Sequence, residues 1–173
     1  GPVWVDVPLD IQASNVEVDE LKPYAEKKKE YHVNNGIIDE TIRRLNGAQR
    51  PVLILGHGIR LSHSIHEARE LYNYLGIPVL TSWNGMDLIE DDHPLFFGRP
   101  GAVGGRAANF IQQSADLVIT LGTRLNMLST GYNYESFLSD AYHIMVDIDE
   151  NEMNKKSVHP QLKAVCDVVD FIR

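Results

Sequence analysis

Pro51-Val52-Leu53-Ile54-Leu55-Gly56-His57-Gly58 is a short apolar run that ends in a glycine pair. The length and branched side chains of Pro51 to Leu55 suit a buried β-strand, and the segment behind the glycines, Ser62 to Leu75, has helical periodicity. A strand, a glycine turn and a helix are the parts with which a parallel α/β sheet presents main-chain amides to a phosphate. Glycine permits φ > 0 and lets the backbone approach a ligand closely. The full G-x-G-x-x-G pattern is absent, because position 61 is Leu. A tight strand–helix turn with no ligand is therefore the competing reading of Gly56 and Gly58.

Working outward, the same alternation repeats. Ile37 to Leu45 reads as a helix with Ile38, Ile42 and Leu45 on one face. In the Ser62–Leu75 helix, Ser64 and Glu67 have capping-box spacing, Ile65, Ala68, Leu71 and Leu75 form the core stripe, and Gly76 closes the C-terminus. Strands are expected at Ile77–Leu80, Asp116–Leu121, His143–Ile148 and Leu162–Cys166. Helices are expected at Arg106–Ser114, Tyr134–Ser139, Asn151–Lys156 and from Val168 onward. Residues 83–104 form a long loop rich in glycine and proline, and loops of that length inside a domain are usually functional. The expected fold class is α/β: a Rossmann-like parallel sheet with right-handed crossovers and helices on both faces.

The N-terminal part reads differently. Gly1 to Gln12 alternates like a strand and stops at Pro8, with no nearby partner. Residues 13–36 are polar and charged, and read as a linker. Lys27-Lys28-Lys29 reads as a solvated surface. The chain opens inside strand-like sequence, as a piece of a longer protein would.

Composition bounds the function classes. At 173 residues, with 43% hydrophobic and 23% charged residues, the chain can bury a core without disulfides. A net charge of −8 argues against a general nucleic-acid or anionic-membrane binder. The single cysteine, Cys166, permits no intrachain disulfide, fits a reducing cytoplasmic setting, and reads as buried and inert. No apolar run approaches the roughly 18 residues of a membrane span, and no signal-peptide pattern opens the chain.

Candidate ligand groups fall at strand ends. Thr81 and Ser82 stand where a standard NAD site wants an acidic residue for the ribose, which counts against NAD. In Gly122-Thr123-Arg124-Leu125-Asn126, the arginine is expected to point into the crevice, onto a diphosphate or a flat ring, or else to bridge a surface carboxylate. Asp147-Ile148-Asp149 offers carboxylates to ribose hydroxyls or an adenine amine, and one of the two aspartates is expected to cap the next helical turn. Asp167-Val168 is a second pair of this kind, with capping as its alternative. The seven histidines make no metal set: His63 and His66 lack a third ligand, and Asp91-Asp92-His93-Pro94 reads as turn chemistry. Trp83, Phe96 and Phe97 are candidates for an apolar wall or for plain core.

The order of these pieces resembles the central domain of thiamine-diphosphate-dependent enzymes of the acetolactate synthase and pyruvate oxidase group. The resemblance is carried by Arg50–Gly58, Gly76-Ile77-Pro78-Val79, Asp92-His93-Pro94-Leu95, Ala115–Ile119, Leu121–Leu125 and Val146–Asp149. It implies a six-stranded parallel sheet, residues 1–12 as the tail of a preceding pyrimidine-binding domain, 13–36 as linker and 37–173 as the central domain. It further implies a crevice for FAD or ADP, or an empty one, touching Gly58, Ser82, Trp83, Gly98, Gly122 to Asn126, Asp147, Ile148, Asp167 and Val168. The linker lacks the arginine that acetolactate synthases direct at the flavin, and Gly98-Arg99-Pro100-Gly101 and Arg124-Leu125-Asn126-Met127 depart from their loops. Thiamine diphosphate and magnesium are expected on the flanking domains of a homodimeric or tetrameric enzyme acting on a 2-oxo acid. This chain contains no Gly-Asp-Gly motif and is expected to be inactive alone. The rival expectations are an ADP- or CoA-binding regulatory module and a purely structural domain.

Overall fold

The computed structural model describes residues 3–25 and 31–173. They divide into two units, Gly1–Glu30 and Tyr31–Arg173. The lysine run Lys27-Lys28-Lys29 lies outside the described residues.

In the first unit the alternating segment is not a strand. Residues 3–8 belong to no strand or helix, and Trp4 is 92% exposed. A one-turn helix, α1 (Leu9–Gln12), follows Pro8, and a 3₁₀ turn spans Val18–Glu20. Alternation alone cannot make a strand, because an isolated extended segment leaves its N–H and C=O groups without a ladder. Pro8 instead starts a helical turn, in which the Gln12 amide and side chain bond back to Pro8 and Val7 carbonyls.

The second unit is built on five parallel strands: β1 (Pro51–Leu55), β2 (Val79–Thr81), β3 (Leu117–Leu121), β4 (Tyr142–Asp147) and β5 (Leu162–Val165), in the order β2-β1-β3-β4-β5. The α/β class is as expected, with one strand fewer than the six implied. The sixth position, outside β2, is taken by residues 95–98, which form a single parallel bridge, Phe96 to Val79. The Val79 and Thr81 amides donate to the Leu95 and Gly98 carbonyls. Pro94 on one side and Gly98, at φ 100°, on the other keep this segment from growing into a strand.

Both faces of the sheet are apolar, as a parallel sheet with two helical layers requires. Leu53, Leu55, Leu117, Ile119, Leu121, Ile144 and Val146 face one layer; Val52, Ile54, Leu80 and Val118 face the other. The first layer contains α2 (Asn35–Gly47), α4 (Ile65–Leu75) and α8 (Val168–Ile172), and the second contains α5 (Arg106–Ser114). In α2 the packed face is Ile37, Ile38, Thr41 and Leu45, while Ile42 is exposed. The helix starts earlier than its apolar run, because Asn34 caps it through the Gly36 amide.

The segment expected as one helix, Ser62–Leu75, is two. A short helix, α3 (Gly58–Leu61), follows the glycine turn, His63 takes a left-handed conformation at φ 56°, and α4 begins at Ile65. The capping box does not form: Ser64 is fully buried, and its hydroxyl contacts Ser62 Oγ and the Ile59 carbonyl. Glu67 reaches Arg173 instead. Gly76 closes α4 in the left-handed conformation, as its position predicts. Two short helices complete the unit, α6 (Met127–Thr130) and α7 (Glu150–Met153). The helix expected at Tyr134–Ser139 is only a 3₁₀ turn, Tyr134–Ser136.

Candidate functional site

Strand order reverses between β1 and β3, so the loops that leave their carboxyl ends start side by side. This is where an open α/β sheet offers a crevice. The Gly56 amide donates to the Leu121 carbonyl and the Gly58 amide to the Gly122 carbonyl, both at 2.8 Å. The Gly122 amide donates to the Val146 carbonyl at 2.9 Å, which brings the end of β4 into the same row. A Cβ on Gly58 would lie 2.6 Å from Gly122 Cα, and one on Gly122, at φ 58°, would lie 2.8 Å from Gly58 Cα. These glycines are thus required by two loops crossing at backbone contact. The Gly56 and Gly58 amides are occupied by that crossing, and the Gly122 amide by β4. The amides of Thr123 and Arg124 donate to no group among the described residues.

Ser82, Trp83 and Gly98 gather on the β2 side of this edge. The Ser82 amide donates to the Leu55 carbonyl, and Trp83 opens the 3₁₀ turn Trp83–Gly85. His57 Nδ1 lies 2.9 Å from the Asn84 carbonyl and ties the glycine turn to that loop. The Thr81 hydroxyl beside Ser82 is fully buried and has no hydrogen-bond partner among the described residues. The long loop is held in place by its own contacts. Arg99 reaches the Met86 carbonyl and Asp91 and lies over the Phe96 ring, and Gly101 and Asn109 bond each other reciprocally. Of the aromatic candidates, Phe96 packs on the core, while Trp83 and Phe97 are exposed.

Charged groups gather past β3 and β4. Arg124 Nε donates to Glu152 Oε1 at 2.7 Å, and Lys155 Nζ lies 2.8 Å from Glu152 Oε2. Lys155 also donates to the Arg124 and Leu125 carbonyls. Burial pushes the Glu152 carboxyl up, but Lys155 and Arg124 outweigh it and hold the group below its ordinary value. Asp147 ends β4 and is buried. Its carboxyl is raised by that burial and by the charge of Glu152, against the Asp149 amide, which donates to Asp147 Oδ1. Asp149 is the one that caps, through the Asn151 amide at the start of α7, and Ile148 between them is exposed.

Asp167 also caps: its Oδ1 accepts the Val169 amide at the start of α8. Val168 is buried in the core. Cys166 is buried too, its thiol pushed up to about 12 by burial.

Gly56, Gly58, Ser82, Trp83, Gly98, Gly122, Thr123, Arg124, Asp147, Ile148, Asp167 and Val168 all lie at or just beyond the carboxyl ends of the strands. Glu152 and Lys155 were missed by sequence reasoning. The available signal was an acid and a base three residues apart on an expected helical turn. Among the described residues no group of three His, Cys, Asp or Glu is placed to hold a metal. His93 serves the fold, contacting Asn73, the Leu95 amide and the Tyr72 ring. A cavity of about 340 Å³ lies away from the candidate residues, lined by Glu67, Leu71, Tyr74, Ile172 and Arg173, among others. No helix among the described residues is long and apolar enough to cross a membrane.

Comparison with known proteins gives one consistent set. Residues 38–173 match the family described as "Thiamine pyrophosphate enzyme, central domain". The acetolactate synthase isozyme 1 large subunit of Escherichia coli (strain K12) is 35% identical over 170 residues, covering 98% of this chain and 30% of that protein. A probable acetolactate synthase large subunit of Methanococcus aeolicus is 33% identical over 161 residues, covering 90% of this chain and 26% of that protein. The 2-hydroxyacyl-CoA lyase 1 of Dictyostelium discoideum is 31% identical over 175 residues, covering 96% and 29%. The chain thus spans less than a third of the length of these curated relatives.

Proposed function

The chain belongs to the thiamine pyrophosphate enzyme central-domain family, and from that premise we propose that it is the central domain of an acetolactate-synthase-like enzyme acting on a 2-oxo acid. Residues 1–12 are the tail of a preceding pyrimidine-binding domain, 13–36 a linker and 37–173 the central domain. The family match from residue 38 and the greater length of the relatives support this division. The intact enzyme would be a cytoplasmic homodimer or tetramer, with no nucleic-acid or membrane partner.

Thiamine diphosphate with magnesium supplies the electron sink for decarboxylation when bound. The residues of this chain do not fit that group: Gly-Asp-Gly is missing from the sequence, and no group of three His, Cys, Asp or Glu among the described residues is placed to hold a metal. The flanking domains would carry both, and this chain alone is inactive. Its task is to hold those domains and to offer a nucleotide crevice at the carboxyl edge of its sheet.

The observation that carries the nucleotide reading is the meeting of the Gly58, Gly122, Arg124 and Asp147 loops where strand order reverses. FAD or ADP fits that edge in part. The guanidinium of Arg124 suits a diphosphate, and the amides of Thr123 and Arg124 add donors. Asp147 suits a hydroxyl or amine donor, and Trp83 offers an apolar face. Arg124→Ala should weaken ADP or FAD about tenfold or more by calorimetry, leaving the melting temperature of the free protein unchanged. Equal affinity would remove Arg124 from the site.

A second reading, a structural domain with an empty crevice, is favoured by the glycine amides being satisfied by the neighbouring loop. A CoA-type nucleotide would use the same edge as ADP, through the same Arg124 and Asp147.

A further inference from the structure

The contact between Arg124 and Glu152 has a form that a permanent structural ion pair does not need. Arg124 hydrogen-bonds Glu152 through Nε, and the outer nitrogens of the guanidinium fork donate to no group among the described residues. Its side chain is 80% exposed, whereas that of Glu152 is 12% exposed. Glu152 does not depend on Arg124 for charge compensation, because Lys155 approaches its other oxygen at 2.8 Å. Lys155 is itself anchored on the Arg124 and Leu125 carbonyls, so the loop backbone stays held when the arginine side chain moves. A buried carboxylate stripped of its only partner is costly, whereas one that keeps a lysine is not.

We propose that Glu152 competes with the ligand for Arg124: it holds the guanidinium in the free protein and releases it to an incoming diphosphate, while Lys155 stays behind as its counter-ion. This rests on Arg124 being the anion-binding group. Glu152 is therefore a positioning residue that sets affinity without touching the ligand. An exposed ion pair is weak enough to be displaced by a doubly charged group, and its removal is worth about two- to fivefold in affinity.

The test is a double-mutant cycle on the wild-type chain, Glu152→Gln, Arg124→Ala and the double variant, each titrated calorimetrically with ADP and with inorganic diphosphate. Glu152→Gln should bind both probes about two- to fivefold more tightly. Arg124→Ala should bind them more weakly, and Glu152→Gln should add nothing in that background. If the tightening persists without Arg124, Glu152 acts through space on the anion, and competition is wrong. If Glu152→Gln binds equally or more weakly while Arg124→Ala is impaired, competition fails and the Arg124 reading stands. If Arg124→Ala binds as well as the wild type, or nothing binds the wild type, that reading fails and takes the competition with it. Should Glu152→Gln fail to fold, Glu152→Asp keeps the charge but shortens the reach to Arg124. Tighter binding by Glu152→Asp supports competition, and unchanged binding overturns it.

Discussion

His143 and Thr120 sit on the sheet face opposite α2, α4 and α8, buried and 2.9 Å apart between Nε2 and Oγ1. Burial drives the imidazole down to about 4 from an ordinary 6.5, so it folds neutral. The unfolded chain binds a proton below pH 6.5 that the folded chain refuses until about pH 4. His143 therefore contributes its stability in full above pH 6.5, and that contribution falls as pH drops, by about 3 kcal/mol in all. Denaturant midpoints measured from pH 7 to pH 4 should fall more steeply for the wild type than for His143→Gln; parallel profiles would contradict this. Asp167 makes a different case. Its cap on α8 should be worth about 1 kcal/mol, lost in Asp167→Ala on chemical denaturation; an unchanged midpoint would refute the capping role. The sequence left both roles of such aspartates open, since a carboxylate after a strand suits a ribose and a helix cap equally. Only the backbone path after β4 decides that Asp149 caps and that Asp147 turns inward.

At the scale of elements, periodicity found the β1 strand and the α5 helix at their observed bounds. It found less where tertiary contact overrides local pattern. Ser64 is drawn into the kink between α3 and α4, so a cap motif with the right spacing never closes. Tyr72, outside the expected core stripe, is buried in α4, where His93 from the long loop packs against its ring. Two glycines separate the conformational need from the packing need. Gly76 has φ 61° and open space around it. Gly76→Ala should therefore cost only the left-handed strain, about 1 kcal/mol. Gly122→Ala adds a clash with the Gly58 backbone, and should cost roughly 3 kcal/mol or more. Equal losses in thermal melts would mean that the two loops do not cross as closely as described.

For the whole molecule, the parallel sheet and its two helical layers were legible because alternating strand and helix patterns admit few right-handed topologies. The crossing of the β1 and β3 loops was not, because a glycine needed by a neighbouring backbone looks the same in sequence as one needed by a phosphate. That ambiguity bears directly on the central proposal, a nucleotide crevice at the carboxyl edge. The measurement that meets it most directly is the stability of the purified chain against denaturant, with FAD, ADP or CoA added in turn to saturation. One of the three, at about 100 times its dissociation constant, should raise stability by about 2.7 kcal/mol, and Arg124→Ala should cut the gain at that concentration to about 1.4 kcal/mol or less. Identical unfolding curves with and without all three would contradict the crevice and leave a domain whose glycines serve only its own backbone.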